Sequence, residues 1–275
     1  MHLSSTTLAD PLIHPTAVIA PGAVIGEGTR IGAYAVIGAR VRLGRDNVVG
    51  PHAVIDGETV VGDRNRFHQA CSVGGAPQHD AWRGEAAPLV MGDDNTVREF
   101  ATLHGGVLAP TRIGSRNLIM TGAHVAHDCV IGDDVHMANA ATLAGHVTIG
   151  DHAWVSGLCA VHQHSRIGAY AFVAGGAIVT QDVPPFCLVQ GDRARLVSLN
   201  TTGLKRAGFP AAEITALRRA FRALFAEAAP LAERIAGVDA QAGASGPVRE
   251  LVDFLKAEGR GAITTLRRRS VRAAA

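Results

Sequence analysis

Thirteen histidines are present, all of them before residue 165. Four of them fall in three short stretches, 125–130 (VAHDCV), 143–148 (LAGHVT) and 161–166 (VHQHSR), with His124 just ahead of the first. An imidazole with its ordinary pKa of about 6.5 accepts a proton close to neutrality, which makes His127 a candidate general base. Asp128 follows directly and can orient the ring or stabilise its charged form. A base of this kind activates a hydroxyl or amine for direct attack on an acyl carbon, so acyl transfer is the first reading. Two other chemistries draw on the same residues. HVAH (124–127) and HQH (162–164) offer imidazoles to a metal such as zinc. Cys129, two residues after His127, offers a thiol nucleophile.

A six-residue repeat must position these groups. Aliphatic residues recur at Ile13, Ile19, Ile25, Ile31, Ile37, Leu43, Val49, Ile55 and Val61, and Phe67 and Val73 keep the register. The pattern resumes at Met91, Val97 and Leu103, then runs from Ile113 at every sixth residue to Val179. Neither a helical period nor simple strand alternation produces a period of six. Short strands joined by tight corners do, with the first position of each hexad facing inward. The second position is often glycine, expected to form the corners, and the fifth is small. Cys71, Cys129 and Cys159 all occupy that fifth position, which gives them a packing role. No CxxC pair occurs and disulfides are not expected. The 32 glycines and the 4% aromatic content suit a narrow aliphatic interior. Runs such as Gly26-Glu27-Gly28 are then coil corners rather than a nucleotide-binding motif. Two interruptions stand out as loops, which often carry function. In 75–88 (GAPQHDAWRGEAAP), His79 and Glu85 replace aliphatics, and at 105–111 the step from Leu103 to Ile113 is two residues short.

After 182–185 (DVPP) the pattern turns helical. Ile214, Leu217, Phe221, Leu224 and Phe225 form one apolar stripe. Val248, Leu251, Val252 and Leu255 form a second, beyond a glycine-rich break at 237–247. The expected architecture is therefore mainly β, a repeat domain over 1–190 and a small helical domain over 191–275. Charge follows the same division. Residues 1–185 hold 11 Lys/Arg against 16 Asp/Glu, and residues 186–275 hold 15 against 8. Arg218, Arg219 and Arg222 cluster on the first helix, which suits an acidic protein partner. The overall charge of +2 does not favour nucleic acid. No apolar run reaches the roughly 18 residues of a membrane span, and the start lacks the features of a secretory signal, so a cytoplasmic location is expected.

The hexads resemble those of the hexapeptide-repeat acyltransferases, whose fold is a left-handed parallel β-helix of triangular section. The resemblance implies three hexads per coil, with residues 18 apart stacked on one face, and a homotrimer. His127 then stacks with Gly145 and Gln163, with His124, His146 and His162 nearby. The Gly145 N–H can meet a developing oxyanion. A strip of small residues, Ala138, Gly157 and Gly175, suits an alkyl chain.

Further matches narrow the resemblance to the UDP-N-acetylglucosamine O-acyltransferases and cover nearly the whole chain: the PQ loop, AHxxHD, LAGH, AVHQ, QDVPP and NTTGLKRAGF. That resemblance implies transfer of an (R)-3-hydroxyacyl group from acyl carrier protein to the sugar 3-hydroxyl, the first step of lipid A synthesis, without cofactor or metal. It implies His127 as base, Asp128 as its partner and Gly145 as oxyanion donor. It places His124, His146, His162 and Gln163 at the substrate, Asn200 and Arg206 at the nucleotide sugar or carrier arm, and Gly175 where chain length is gauged. The basic helices would receive the acidic carrier. The sequence departs from the family at His79-Asp80-Ala81-Trp82, where Asp-x-Lys is usual, and at 104–107, HGGV in place of HRGT. Thr202 and Ala207 stand where glutamate and arginine are common. A 3-amino sugar nucleotide as N-acyl acceptor therefore stays open. So do a γ-carbonic-anhydrase-like metalloprotein and a non-catalytic trimeric scaffold. The related glucosamine N-acyltransferases fit less well, because their repeats follow an N-terminal domain and here hexads begin at residue 13.

Overall fold

The computed structural model describes residues 12–85, 87–243, 246–263 and 266. Twenty-five strands, most of two residues, run from β1 (Val18–Ile19) to β25 (Ile178–Val179) and form three parallel faces of a left-handed β-helix. Outside the coils that carry the two loops, pairing steps by 18 residues, as in Val18 with Val36 and His124 with Thr142, so three hexads make one coil. Each aliphatic register from Ile19 to Val179 falls on a strand, and Ile13 bridges to Ile31. From Ile31 to Val179 these inward residues are buried. Burying such a side chain contributes about 1.5–3 kcal/mol, and stacking it on its 18-residue neighbours makes one continuous core.

The corners differ from the sequence expectation. Left-handed backbone occurs at the fourth hexad position, on residues such as Tyr34 (φ 57), His52 (φ 57) and His152 (φ 58), most of them not glycine. Such a conformation costs about 1–2 kcal/mol. A hydrogen bond to the coil before offsets it, as from Asp46 N to Glu27 O (3.0 Å) and from His52 N to Ala33 O (2.9 Å). The second-position glycines serve close stacking instead. A Cβ on Gly50 would stand 2.9 Å from Phe67 O, and one on Gly150 would stand 2.6 Å from Ala169 N, both in the next coil. Inside the coil, Asn47, Asn65, Asn95 and Asn117 form a ladder in which each side-chain oxygen accepts the backbone N–H one coil on. The ladder satisfies buried backbone N–H groups where the fifth position is polar, although Asn117 Nδ2 itself has no partner among the described residues.

The two interruptions are loops, 76–88 and 105–110, so Gly75 and Thr111 belong to the flanking strands. Beyond β25, strand β26 (Cys187–Gln190) extends the third face and β27 (Arg195–Leu199) pairs antiparallel with it, carrying the sheet past residue 190. Among the described residues four helices follow: α1 (Thr201–Arg206), α2 (Ala211–Phe225), α3 (Leu231–Asp239) and α4 (Pro247–Lys256). Helices α2 and α4 carry the two expected stripes. Helices α1 and α3 are additions, and α3 runs into the segment expected to be a break.

Candidate active site

The histidine stretches meet at the corner between the first face, which holds His124–Val125, and the second, which holds Val130–Ile131. His127, Gly145 and Gln163 occupy the third hexad position of successive coils. Asp128 (φ 59), His146 (φ 61) and His164 (φ 62) occupy the left-handed fourth position. Backbone bonds His146 N to His127 O (3.0 Å) and His164 N to Gly145 O (3.1 Å) lock the columns in register. The His127 ring lies directly over Gly145, where a Cβ would come within 2.6 Å of its Nε2. Only glycine leaves room for that ring.

His127 Nδ1 bonds Asp128 Oδ2 at 2.6 Å. A carboxylate accepts, so Nδ1 carries the proton and Nε2 is left to take one. The Asp128 side chain is 1% exposed and also accepts the N–H groups of Val107 (3.0 Å), Leu108 (2.8 Å) and Ala109 (2.5 Å). Burial opposes its charge, but the His127 bond and the three loop amides outweigh burial and hold the carboxyl below its usual range. Burial keeps His146 below the usual histidine range, assisted by His164, His127 and His79 and opposed by Asp128. His124 Nδ1 meets Thr102 Oγ1 at 2.7 Å, and burial lowers its pKa as well. His162 and Gln163 are exposed at the rim.

Three further histidines join this corner, none of which the family motifs assigned to the acyl-transfer site. His79, from loop 76–88, sets its ring edge-on to His127 with centroids 4.9 Å apart. His164 stacks on His146 at 4.5 Å and 13°. His104 packs against His124 at 5.2 Å. The HQH doubling was the visible signal for His164; His79 reaches the site only through the loop's path, which hexad spacing does not encode.

The rival chemistries fare differently here. Burial pushes the Cys129 thiol up to about 12, the wrong direction for a nucleophile, and its Sγ donates to Ala144 O at 3.3 Å. His127, Asp128 and His146 lie close enough to suggest a metal site. However, four hydrogen bonds already occupy both Asp128 oxygens, three of them from amides that cannot withdraw without unmaking loop 105–110.

Gly157 and Gly175 stack in register at the corner between the third and first faces, a Cβ on Gly175 falling 3.6 Å from Gly157 O. Ala138 sits one position earlier in its hexad, so the strip is offset there. The first face, with His124, Thr142, Ala160 and Ile178 outward, separates this corner from His127. Asn200 and Arg206 make no described contact with the histidines. The Asn200 side chain caps α1 through Gly203 N (3.1 Å) and donates to Tyr170 O (2.9 Å). A cavity of about 750 Å³ lies among α2, α3 and α4 and shares no lining residue with the histidine corner.

Residues 182–263 match the second domain of UDP-N-acetylglucosamine O-acyltransferase, and residues 5–39 and 110–145 match the bacterial transferase hexapeptide. An acyl-[acyl-carrier-protein]–UDP-N-acetylglucosamine O-acyltransferase of Syntrophobacter fumaroxidans is 44% identical over 91% of this chain and 99% of its own. The Caulobacter vibrioides protein of the same name is 48% identical over 90% and 95%. The chain belongs to the UDP-N-acetylglucosamine O-acyltransferase family. The solved Moraxella catarrhalis member superposes with a TM-score of 0.90 at 34% identity, over 92% of this chain and 100% of that one. Membership makes this chain an acyltransferase and agrees with the coil, loops and helical end described above.

Proposed function

We propose that the chain transfers an (R)-3-hydroxyacyl group from acyl carrier protein to the 3-hydroxyl of UDP-N-acetylglucosamine, the first step of lipid A synthesis. The observation that carries this reading is the His127–Asp128 pair lying over Gly145. His127 Nε2 takes the proton of the sugar hydroxyl as its oxygen attacks the thioester carbonyl carbon. The Gly145 N–H, for which no described residue supplies an acceptor, faces the oxyanion of the tetrahedral intermediate. The intermediate collapses with cleavage of the carbon–sulfur bond, and the imidazolium returns its proton to the departing carrier thiolate. Asp128 holds the tautomer throughout.

His124, His146, His162 and Gln163 line the approach for the acceptor. The acyl chain crosses the first face towards Gly157 and Gly175. The coil carries the chemistry, and the helices α1–α4 that follow it receive the carrier. Arg218, Arg219 and Arg222 are exposed on α2 and belong to none of the described ion pairs, which suits an acidic partner. Asn200 and Arg206 serve the nucleotide or the carrier arm. Exposed Val18, Val36 and Val54 along the first face, and Phe100 and Leu158 at its corner, support a homotrimer that covers them. Among the described residues no helix is long and apolar enough to cross a membrane, in keeping with a cytoplasmic enzyme.

A second acceptor keeps one specific observation in its favour. His79 stands beside the base where the family has an aspartate, with Ala81 in place of its lysine. A 3-amino UDP-sugar is therefore the alternative acceptor. Hydroxyacyl carriers offered with UDP-N-acetylglucosamine or its 3-amino analogue, with products read by mass spectrometry, separate the two. His127→Ala should lower turnover by about 10²–10⁴-fold with the oligomer intact by light scattering. Retained turnover overturns the assignment of the base.

A further inference from the structure

Loop 105–110 has no place in a regular coil. At most corners the left-handed residue donates its N–H to a carbonyl of the coil before, as His146 does to His127 and His164 does to Gly145. Asp128 lacks that arrangement. Its N–H goes to Thr111 Oγ1 at 2.9 Å, a hydroxyl that is wholly buried. Where the previous corner would have stood, the chain wraps the carboxylate with three successive amides, those of Val107, Leu108 and Ala109, at 2.5–3.0 Å.

The loop is itself fixed on its other side. Gly105 N donates to Gly75 O (3.0 Å), and Gly106 N and Thr111 N both donate to Pro88 O (3.2 and 3.1 Å). A side chain on Gly105 would overlap the Ala87 carbonyl, and one on Gly106 would overlap the Ala109 carbonyl. The two glycines therefore have a steric reason to be there. They let the loop fold tightly enough to aim three donors at one buried carboxylate.

We infer that loop 105–110, together with Thr111, is the positioning element of the reaction: its amides and the Thr111 hydroxyl fix Asp128, and Asp128 in turn fixes the ring of His127. The inference rests on the His127 mechanism proposed above. These groups bond Asp128, not His127 itself, so they act on the base only through the carboxylate. Three donors leave the carboxylate one free direction, towards His127 Nδ1, so the imidazole is held by geometry as well as by charge. An ordinary corner would present a carbonyl dipole in that space and repel the carboxylate. The two-residue shortening of the repeat thus turns a structural corner into a donor nest.

Gly106→Ala tests this, because its methyl group would overlap the Ala109 carbonyl and so displace the Ala109 peptide. The expected result is a loss in kcat of about tenfold, the worth of a charge-assisted hydrogen bond, with KM for both substrates within about twofold. In an Asp128→Ala background the same change should cost nothing further, since the nest then has nothing to hold. Multiplicative losses in the double variant, or a raised KM with unchanged kcat, overturn the inference. Thr111→Val should lower kcat and Thr111→Ser should restore it; equal losses overturn it as well. A readout independent of turnover guards against a failed mechanism. The carboxyl carbon resonance of Asp128 should titrate at higher pH in Gly106→Ala than in the parent, and an unchanged midpoint counts against the nest. If His127→Ala stays active while that midpoint moves, the mechanism falls and the nest stands.

Discussion

His104, His124 and His146 share one physical condition: burial keeps each below the ordinary histidine range. Each is more readily protonated in the unfolded chain than in the fold. The unfolded state therefore binds more protons as pH falls below about 6.5, and stability falls with it. The loss begins below that unfolded value and levels off under the folded ones. The melting temperature should accordingly drop between pH 7.5 and 5.5, and His104→Gln with His124→Gln should flatten the slope. A slope unchanged by those substitutions would show that these rings are not its source. Asp128 has the same sign in a lower window. Its carboxyl is held down, so its contribution is complete above about 3.9 and fades as pH falls through the folded value. The hexad register together with the family resemblance, which implies three hexads per coil, placed His127, Asp128 and His146 together. It did not place His79 or the amides of 107–109, since their position depends on how two loops pack on each other.

The hexad illustrates both the reach and the limit of reading elements from pattern. Its aliphatic register predicted every strand of the coil, because a buried stripe is written directly into residue type. The function of glycine was less direct. Gly50 and Gly150 sit where the next coil's backbone comes close, while the left-handed corners fall on residues such as His52 and Tyr170. Composition cannot distinguish these two reasons for a glycine. Helix α3 was hidden for a related reason. Leu231, Ile235 and Val238 have helical spacing, but Gly237 costs about 1 kcal/mol in a helix, and packing against α2 and α4 offsets it. At the candidate site the close-approach role becomes testable. In Gly145→Ala the new methyl would stand 2.6 Å from His127 Nε2, so the ring must tilt. A displacement of about 1 Å at a base costs about 10² in rate. The substitution should lower kcat on that scale while the melting temperature stays near the parent's; full activity would mean that the ring tolerates the shift.

The whole molecule depends on how the coil meets its helices, and one ion pair concentrates that contact. Arg166 lies on the second face near the end of the coil, and Asp182 lies at the exit with no exposed surface. The arginine bonds Asp182 Oδ2 through Nε (2.9 Å) and Nη2 (2.8 Å), while its own backbone N–H reaches Oδ1 at 2.8 Å. The same guanidinium lies 4.4 Å from the Phe254 ring centroid and reaches the carbonyls of Phe254 (3.4 Å) and Ala257 (3.3 Å) at the end of α4. Backbone bonds from Asp182 N to Gly261 O and from Ile263 N to Asp182 O complete the seam. Removing one partner of a buried pair leaves an uncompensated charge, at a cost of about 3–5 kcal/mol. Arg166→Met should therefore lower the melting temperature sharply and speed hydrogen exchange in α4 before it does so in the coil. Replacing both partners, Arg166→Met with Asp182→Leu, removes the stranded charge and should recover part of the loss. If α4 exchanges no faster than the coil in the single variant, the helices are held by their apolar contacts alone, and the pair serves only to close the last turn.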